Sequence, residues 1–294
     1  MADTNAMAEI RGIDIDKLAK GFADEELVLK KFVTVSKTSA REIRWYQKTA
    51  GFLDTTDTTG ITASQIANIS FKARPFVAEQ SWTRVPSYVR KYFVESPLLT
   101  DEDIRDCDID ILATNVRDLV KAVSNQVDTR IYNVISESLT PVNINTAAAT
   151  GTGWDDTTTG DPIKDILVGK QNIRTYRYSP EGAILYIHPV EHTNLISWLI
   201  STKGSSIPQF ASQKVETGVV MEILGCKVVV STNATTDYAL IFVPQRAATW
   251  KAFTPITSAV IKDPGIGTKI RVWEEGEALL TDPRAVQLIT DTVT

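Results

Sequence analysis

The sequence predicts an α+β fold, in which helices and strands follow one another without a regular alternation. A stretch between Pro97 and Pro141 contains no glycine or proline and repeats its apolar residues at helical spacing. Short apolar segments such as 183–187, bounded by turn residues, are typical of buried strands. Since these segments form no repeating β-α unit, the pattern favours an α+β fold over a parallel α/β fold.

The glycine- and proline-free stretch predicts a short helix followed by a long one. Thr100 and Asp103 form a start that resembles a capping box, and the acidic residues at 101 and 102 suit a helix N-terminus. A break near residues 107–110 would leave a second helix of about 28 residues, roughly 40 Å long. Its apolar positions are Leu112, Val116, Leu119, Val120, Val123, Val127, Ile131, Val134 and Ile135. Such a length exceeds what a small core requires, so we expect a structural spine.

Residues 41–94 alternate between apolar and polar side chains as strands do, which predicts a long two-stranded hairpin. The apolar positions on one face are Ile43, Trp45, Ile69, Phe71 and Ala73. Residues 54–60, with the sequence DTTDTTG, form a polar tip. An isolated hairpin is marginal in water, so we expect it to lie on a partner. Residues 1–40 show no clear core and predict an arm that docks elsewhere.

Shorter elements follow the spine. Asp161 and Pro162 start a helix as its cap and first residue, and Pro189 starts another that runs to about Ser201. Loops are expected at 147–160 and 203–218, where threonine, serine and glycine accumulate. The predicted strands are 183–187, 219–224, 226–230, 238–243, 269–273 and 285–290.

Composition excludes several functional classes. The net charge is −5, which disfavours a protein that reads duplex DNA through a basic patch. No segment is long and apolar enough to cross a membrane, and the N-terminus has no signal-peptide pattern. Cys107 and Cys226 are far apart in the sequence, which argues for a reducing compartment and against a disulfide framework or zinc knuckle.

Enzyme motifs are weak or incomplete. His188–His192 matches the H-x-x-E-H pattern of some zinc peptidases, but Pro189 pushes His188 out of helical geometry, so we favour a strand end followed by a helix cap. The glycine pairs at 151–153 and 265–267 complete no phosphate-binding motif, and no G-x-S-x-G sequence supplies a serine nucleophile. We therefore expect no catalytic residue, no cofactor site and no metal site.

Six acidic residues occupy positions 101–110: Asp101, Glu102, Asp103, Asp106, Asp108 and Asp110. Oxygen ligands of this kind can bind a divalent cation. At the start of a helix, however, acidic residues more often complement the helix dipole, and we favour that interpretation.

The order of these elements resembles major capsid proteins with the Hong Kong 97-type fold, which tailed phages share with encapsulin compartments. The similarity covers roughly residues 40–294. The segments that carry it are Val85-Pro86, Glu95–Leu99, Val127–Ile131, Ile184–Pro189, Leu224–Ser231 and Asp282–Val286.

The resemblance implies four parts. These are an N-terminal arm at 1–40, an E-loop hairpin at 41–94, a peripheral P-domain with the spine at 95–144 and 246–294, and an axial A-domain at 145–245. The implied function is that of a structural major capsid protein, with no enzymatic activity, which self-assembles into the icosahedral head shell around the viral genome. The implied location is the virion, after assembly in the host cytoplasm.

The implied partners follow from the same resemblance. The chain would bind copies of itself in hexamers and pentamers, a portal, and in some shells a decoration protein. Because only some 40 residues precede the E-loop, the resemblance implies a separate scaffolding protein or none. The alternatives are an encapsulin-like compartment shell and, less favoured, an α/β enzyme, for which the sequence offers no convergent polar constellation.

Charge patterning suggests a contact between subunits. Residues 66–91 carry five basic residues and one acid, Glu79, whereas the start of the spine is acidic. In the resembling family the E-loop lies across a neighbouring P-domain, which would bring these charges together. The candidate contact residues are Lys72, Arg74 and Arg84 with Asp101, Glu102 and Asp103. The alternative is that both runs are solvated faces.

Overall fold

The computed structural model describes residues 29–47, 70–74, 82–106, 111–200 and 222–293. Some sequence predictions concern residues outside these ranges: most of the arm, the hairpin tip at 54–60, the helix break at 107–110 and the loop at 203–218. The chain divides into two compact units. The first unit comprises Met1–Ile43, Pro86–Ile131 and Trp250–Leu279, and the second comprises Arg44–Val85, Tyr132–Thr249 and Leu280–Thr294.

The described residues form thirteen strands and four α-helices. The helices are α1 (Asp101–Asp106), α2 (Ile111–Ile135), α3 (Pro162–Thr175) and α4 (Pro189–Ile200). The strands are β1 (Thr34–Lys37), β2 (Glu42–Gln47), β3 (Thr83–Tyr88), β4 (Arg90–Glu95), β5 (Leu99–Thr100), β6 (Asn145–Ala148), β7 (Ile184–Ile187), β8 (Glu222–Ile223), β9 (Cys226–Val230), β10 (Tyr238–Phe242), β11 (Ala248–Asp263), β12 (Gly267–Leu280) and β13 (Val286–Thr290). Three short 3₁₀ turns lie at Leu29–Lys31, Glu137–Leu139 and Pro283–Ala285.

The first unit is built on the predicted spine. Its sheet has the order β1-β11-β12-β4, and β5 also pairs with β12. The spine, α2, has 25 residues and is therefore about 38 Å long. Val116, Val120 and Val123 of the spine pack with Ile270 and Val272 of β12, because helical and strand periodicity place these side chains on facing surfaces.

The second unit is a mixed six-stranded sheet in the order β6-β13-β10-β7-β9-β8. β10 is antiparallel to β13 and β7, whereas β6 runs parallel to β13 and β9 runs parallel to β7. Ile166 and Ile173 of α3 and Leu195 of α4 pack in one cluster with Leu185 and Ile241 of the sheet. All five side chains are fully buried, and each contributes about 1.5–3 kcal/mol by leaving water.

Local chemistry explains where the helices of the second unit begin. Asp161 accepts a 3.1 Å hydrogen bond from the backbone nitrogen of Lys164, and Pro162 is the first residue of α3, as the sequence predicted. Pro189 opens α4, also as predicted. Strand β7 is buried throughout and lies between strands on both sides, which accounts for its continuous apolar sequence.

Some predicted elements differ from the structure. Residues 70–74 form a turn, closed by a 2.9 Å hydrogen bond from the nitrogen of Ala73 to the carbonyl of Ser70, where alternation had predicted a strand. Phe71 is fully exposed, so the alternating pattern has no buried face to stabilise a strand there. The predicted loop at 147–160 begins later, because β6 extends the sheet through Ala148.

Candidate assembly surfaces

The base of the hairpin formed by β2 and β3 has one anchored face and one exposed face. On the anchored face, Trp45 Nε1 donates a 3.1 Å hydrogen bond to the carbonyl of Leu280, and the side-chain amide of Gln47 donates to the same oxygen. The exposed side chains are Arg44, Tyr46, Trp82, Arg84 and Tyr88. Tyr46, Trp82 and Tyr88 are each more than half exposed, and aromatic rings of this size stabilise a contact when a partner covers them.

Of the predicted contact residues that the structure describes, Lys72, Arg74, Arg84 and Glu102 are exposed and Asp101 is half-buried. Lys72 and Arg74 lie in the exposed turn at 70–74, and Arg84 is exposed on β3. Asp101 and Glu102 open α1, whereas the side chain of Asp103 is not among the described ones. In the described part of the chain, the three basic residues form no ion pair.

The first unit encloses two carboxylates that sequence analysis missed. Glu274 and Glu277 of β12 are fully buried. Glu277 accepts a 3.0 Å hydrogen bond from Arg130 Nε of the spine, and Arg90 Nε of β4 lies 3.1 Å from its other oxygen. Glu274 pairs with Lys30 and accepts a 3.2 Å hydrogen bond from Trp250 Nε1.

These carboxylates affect the neighbouring tyrosine. Burial, together with the negative charge of Glu277, raises the pKa of Tyr92 to about 12. Leu29 adds a second anchor, because its backbone nitrogen donates a 3.2 Å hydrogen bond to the buried carboxylate of Asp128 on the spine. The residues that lead out of the arm are therefore fixed to both the spine and β12.

A rigid acidic loop, residues 150–161, precedes α3 in the second unit. It contains Asp155, Asp156 and Asp161 and no basic residue. Asp156 accepts hydrogen bonds of 2.6 and 2.7 Å from the hydroxyls of Thr159 and Thr152 and one of 2.7 Å from the backbone nitrogen of Thr158. These donors hold the pKa of Asp156 well below its usual range. The loop therefore stays negatively charged at any physiological pH.

A group of arginine and tyrosine side chains lies at the other end of α3. The guanidinium of Arg284 stacks 4.9 Å from the ring centre of Tyr176, and that of Arg246 lies 4.9 Å from Tyr178. Arg246 Nε also pairs with Asp282 at 2.9 Å. Burial raises the pKa of Tyr178, so that its ring stays neutral beside the cation.

The H-x-x-E-H segment forms a helix start. His188 follows β7, and its Nδ1 accepts a 3.3 Å hydrogen bond from the nitrogen of Val190, which is the cap that the sequence favoured. Glu191 is fully buried, and one of its oxygens accepts a hydrogen bond of 2.6 Å from the nitrogen of Asp237. Burial lowers the pKa of His192. Among the described residues, no three His, Cys, Asp or Glu side chains gather as a metal site would require.

No helix in the described part of the chain is long and apolar enough to span a membrane. The buried acids Asp128, Asp165, Glu191, Glu274 and Glu277 were not predicted. For Glu274 and Glu277 a signal existed: residues three apart in a strand point to opposite faces, so the two glutamates cannot both lie on one solvent-exposed face of β12. Their partners, such as Arg130, are distant in sequence and could not be identified from one chain.

Comparisons with known proteins agree on a fold. The virus-like particle protein from Pyrococcus furiosus has a TM-score of 0.61 at 12% identity, over 95% of this chain and 99% of that one. The capsid of the cyanophage P-SCSP1u has a TM-score of 0.66 at 11% identity, over 90% and 88%. The Mycobacterium phage Che8 structure has a TM-score of 0.59 at 15% identity, over 87% and 86%. A comparison with curated proteins finds no match.

The family comparison covers most of both units. The model of the phage capsid protein family matches residues 98–289, well over half of the chain, from just before β5 to near the end of β13. Together with the mixed sheets and the spine, this match confirms the α+β Hong Kong 97-type fold. The chain belongs to the phage capsid protein family and is a structural protein of a capsid shell.

Proposed function

We propose that this protein is the major capsid protein of a tailed phage, and that it assembles into an icosahedral head shell around the viral genome. Its shell would contain hexamers and pentamers of the same chain. The observation that supports this most is the exposure of three aromatic side chains on or beside β2 and β3: Tyr46, Trp82 and Tyr88 face water in the isolated subunit. Covering these rings with a second copy would remove the cost of exposing them.

The proposed domains follow the family pattern. The arm would span 1–40, the E-loop 41–94, the P-domain 95–144 and 246–294, and the A-domain 145–245. Support for the P-domain comes from the packing of the spine on the sheet that contains β11 and β12. Support for the A-domain comes from the six-stranded sheet with α3 and α4.

We further propose that Lys72, Arg74 and Arg84 of one E-loop face Asp101, Glu102 and Asp103 of a neighbouring subunit. This contact is supported by the three basic side chains, which are exposed and form no ion pair in the described part of their own subunit. Partners of other kinds would be a separate scaffolding protein, a portal and, in some shells, a decoration protein. Assembly would take place in the host cytoplasm and end in the virion.

The experiment is to purify the protein, with and without a co-expressed scaffold, and to measure particle mass by light scattering and shape by electron microscopy. Closed particles or capsomer rings are expected. A protein that stays monomeric under all these conditions contradicts the proposal. In a second arm, Tyr46→Ser with Tyr88→Ser should reduce the assembled fraction at least tenfold, whereas Val142→Ser, at an exposed valine outside the hairpin, should not change it.

A compartment shell is the second candidate, favoured by the similarity to the virus-like particle protein from Pyrococcus furiosus. The two functions differ in what the shell contains. Particles isolated from the source cell should contain double-stranded DNA if the protein is a phage capsid. A stoichiometric protein cargo in place of DNA would identify a compartment.

A further inference from the structure

The two ends of helix α3 carry opposite charge. The acidic loop at 150–161 precedes the helix, and the arginine–tyrosine group follows it. With 14 residues, α3 separates them by about 21 Å. The parallel strands β6 and β13 agree with this separation. Ala149, just before the acidic loop, and Trp154, within it, donate to the carbonyls of Thr290, the last residue of β13, and Thr292 beyond it, whereas Arg284 of the basic end precedes β13.

The basic end has an excess of positive charge. Arg174 pairs with Glu181 at 2.5 Å, and Arg246 pairs with Asp282. Arg177 and Arg284, in contrast, have no carboxylate partner in the described part of the chain. Arg177 is exposed with a φ of 64°, and Arg284 bonds only to the neutral amide oxygen of Asn145, at 3.3 Å. A net positive patch therefore remains on a protein whose net charge is −5.

Both the acidic loop and the arginine–tyrosine group are held in place by contacts within the isolated subunit. At the acidic end, a Cβ on Gly160 would lie 2.0 Å from the carbonyl of Gly153, so the backbone is closely packed, and the threonine hydroxyls fix Asp156. At the basic end, Tyr176 and Tyr178 fix two guanidinium groups by stacking. These fixed groups hold the backbone on either side of Arg177 and Asp155, so the two surfaces lose little conformational entropy when they meet.

We infer that the basic end of α3 in one subunit docks on the acidic loop of the next subunit, with Arg177 facing Asp155 in a head-to-tail contact. This inference rests on the proposed assembly function. The occupant is a second copy because the chain itself supplies the complementary surface, in the same unit and at the opposite end of one helix. A contact between two different patches is heterologous, and repeated by rotation it closes a ring.

Single charge reversals test each side of the contact. Arg177→Glu would place two acids against each other in every contact of the ring, and Asp155→Lys would place two bases there. Each variant should raise the protein concentration needed for half-maximal assembly at least threefold at low salt, with unchanged circular dichroism and melting temperature. Lys262→Glu is the matched control, since it makes the same charge change at an exposed residue of the first unit and should assemble normally.

Mixing the two variants gives the decisive result. In a six-subunit ring that alternates Arg177→Glu and Asp155→Lys chains, every contact again joins opposite charges, so the mixture should form hexameric rings at concentrations at which neither variant alone does. The double variant in one chain should also recover. Normal assembly of either single variant, or failure of the mixture, overturns the inference and leaves the proposed function intact.

Two further outcomes distinguish the subunit contact from a general failure of assembly and from a role in genome binding. A wild-type chain that never assembles overturns the proposed function, and this inference with it. If Arg177→Glu shells form normally but lose nucleic acid, the basic end serves the packaged genome, and the subunit contact is wrong.

Discussion

The indole nitrogen of Trp154 donates a 2.8 Å hydrogen bond to the buried carboxylate of Asp165. The other oxygen of Asp165 accepts hydrogen bonds of 3.0 and 2.6 Å from the nitrogen and hydroxyl of Thr150. One carboxylate in the first turn of α3 therefore holds the loop at Thr150 and at Trp154. Because Asp155 follows Trp154 directly, the position of the exposed acid depends on this buried network.

Replacing Asp165 should be costly. In Asp165→Asn an amide group replaces one carboxylate oxygen, so at least one buried donor loses its acceptor. We expect the free energy of unfolding to fall by about 2–4 kcal/mol, measured by urea denaturation. Thr150→Val removes a single hydroxyl donor at nearly constant volume and should cost only about 1 kcal/mol. Equal losses in the two variants would show that the carboxylate does not organise the loop.

Two glycine-to-alanine substitutions should distinguish the stability cost of a steric clash from the cost of backbone strain. Gly160→Ala places a methyl group 2.0 Å from the carbonyl of Gly153, so the loop must shift, and we expect a loss of about 3 kcal/mol. Gly182 has a φ of 68° but nothing near its added Cβ, so Gly182→Ala should cost only the left-handed strain of about 1–2 kcal/mol. Thermal unfolding measures both. A Gly160→Ala protein as stable as wild type would contradict the loop geometry.

The helices were predictable because their start signals are local. Pro162 and Pro189 lie at the first positions of α3 and α4, and Asp161 caps α3 with its own side chain. Strand β11, in contrast, was missed. Its 16 residues include Pro255 and many residues of middling polarity, and a proline within a sequence argues against a strand. Its pairing with β1 and β12 provides the stabilisation that its own sequence does not indicate.

The candidate surfaces were less predictable than the helices, because folding brings together residues that are distant in the sequence. The exposure of Arg84 could be expected from alternation, but the stacking of Arg284 on Tyr176 joins residues more than a hundred positions apart. The acidic loop appeared in the sequence only as a loop rich in threonine and glycine. That Thr152 and Thr159 both donate to Asp156 depends on the folded backbone, so the rigidity of the loop could not be inferred.

Stability should fall as the pH is lowered through the histidine range. Burial lowers the pKa of His192 in the folded state, whereas in the unfolded chain it titrates near its ordinary value. Below about pH 6.5 the unfolded state therefore binds more protons, and the free energy of unfolding decreases, by no more than about 1.4 kcal/mol per pH unit. His192→Gln should flatten this slope between pH 7.5 and 5.5. A slope that the His192→Gln substitution leaves unchanged would contradict the assignment.

Arg130 and Arg90 both pair with Glu277, but we expect their removal to lower the free energy of unfolding by different amounts. Arg130→Met leaves the fully buried Glu277 without its hydrogen-bonding cation, and we expect a loss of about 3–5 kcal/mol. The side chain of Arg90 pairs with the same carboxylate but is 57% exposed, so Arg90→Met should cost only about 0–1 kcal/mol. Adding Glu277→Gln to Arg130→Met should recover part of the loss. Urea denaturation of the four proteins checks the order, which a similar cost for both arginines would contradict.

The proposed E-loop contact predicts an effect on assembly and none on folding. Lys72 and Arg74 are exposed, so Lys72→Glu with Arg74→Glu should leave the melting temperature unchanged. Individual exposed pairs contribute only about 0.2–1 kcal/mol, but the contact repeats at every subunit, so the double variant should assemble poorly. Light scattering at low salt measures this. Raising the salt concentration should narrow the difference from wild type, because it screens exposed charges beyond about 8–10 Å.

A more specific test also reverses the charge of the acidic residues on the other side of the proposed contact. Asp101→Lys with Glu102→Lys, added to the Lys72→Glu, Arg74→Glu chain, would restore opposite charges across the contact and should recover part of the assembly. The matched control is Lys227→Glu with Lys262→Glu, which makes the same change in charge at exposed residues outside the E-loop and should assemble as wild type does. If the Lys72→Glu, Arg74→Glu chain assembles normally at low salt, the charge contact is wrong. The capsid function would stand, because the exposed rings of Tyr46, Trp82 and Tyr88 would still be available to a neighbouring subunit.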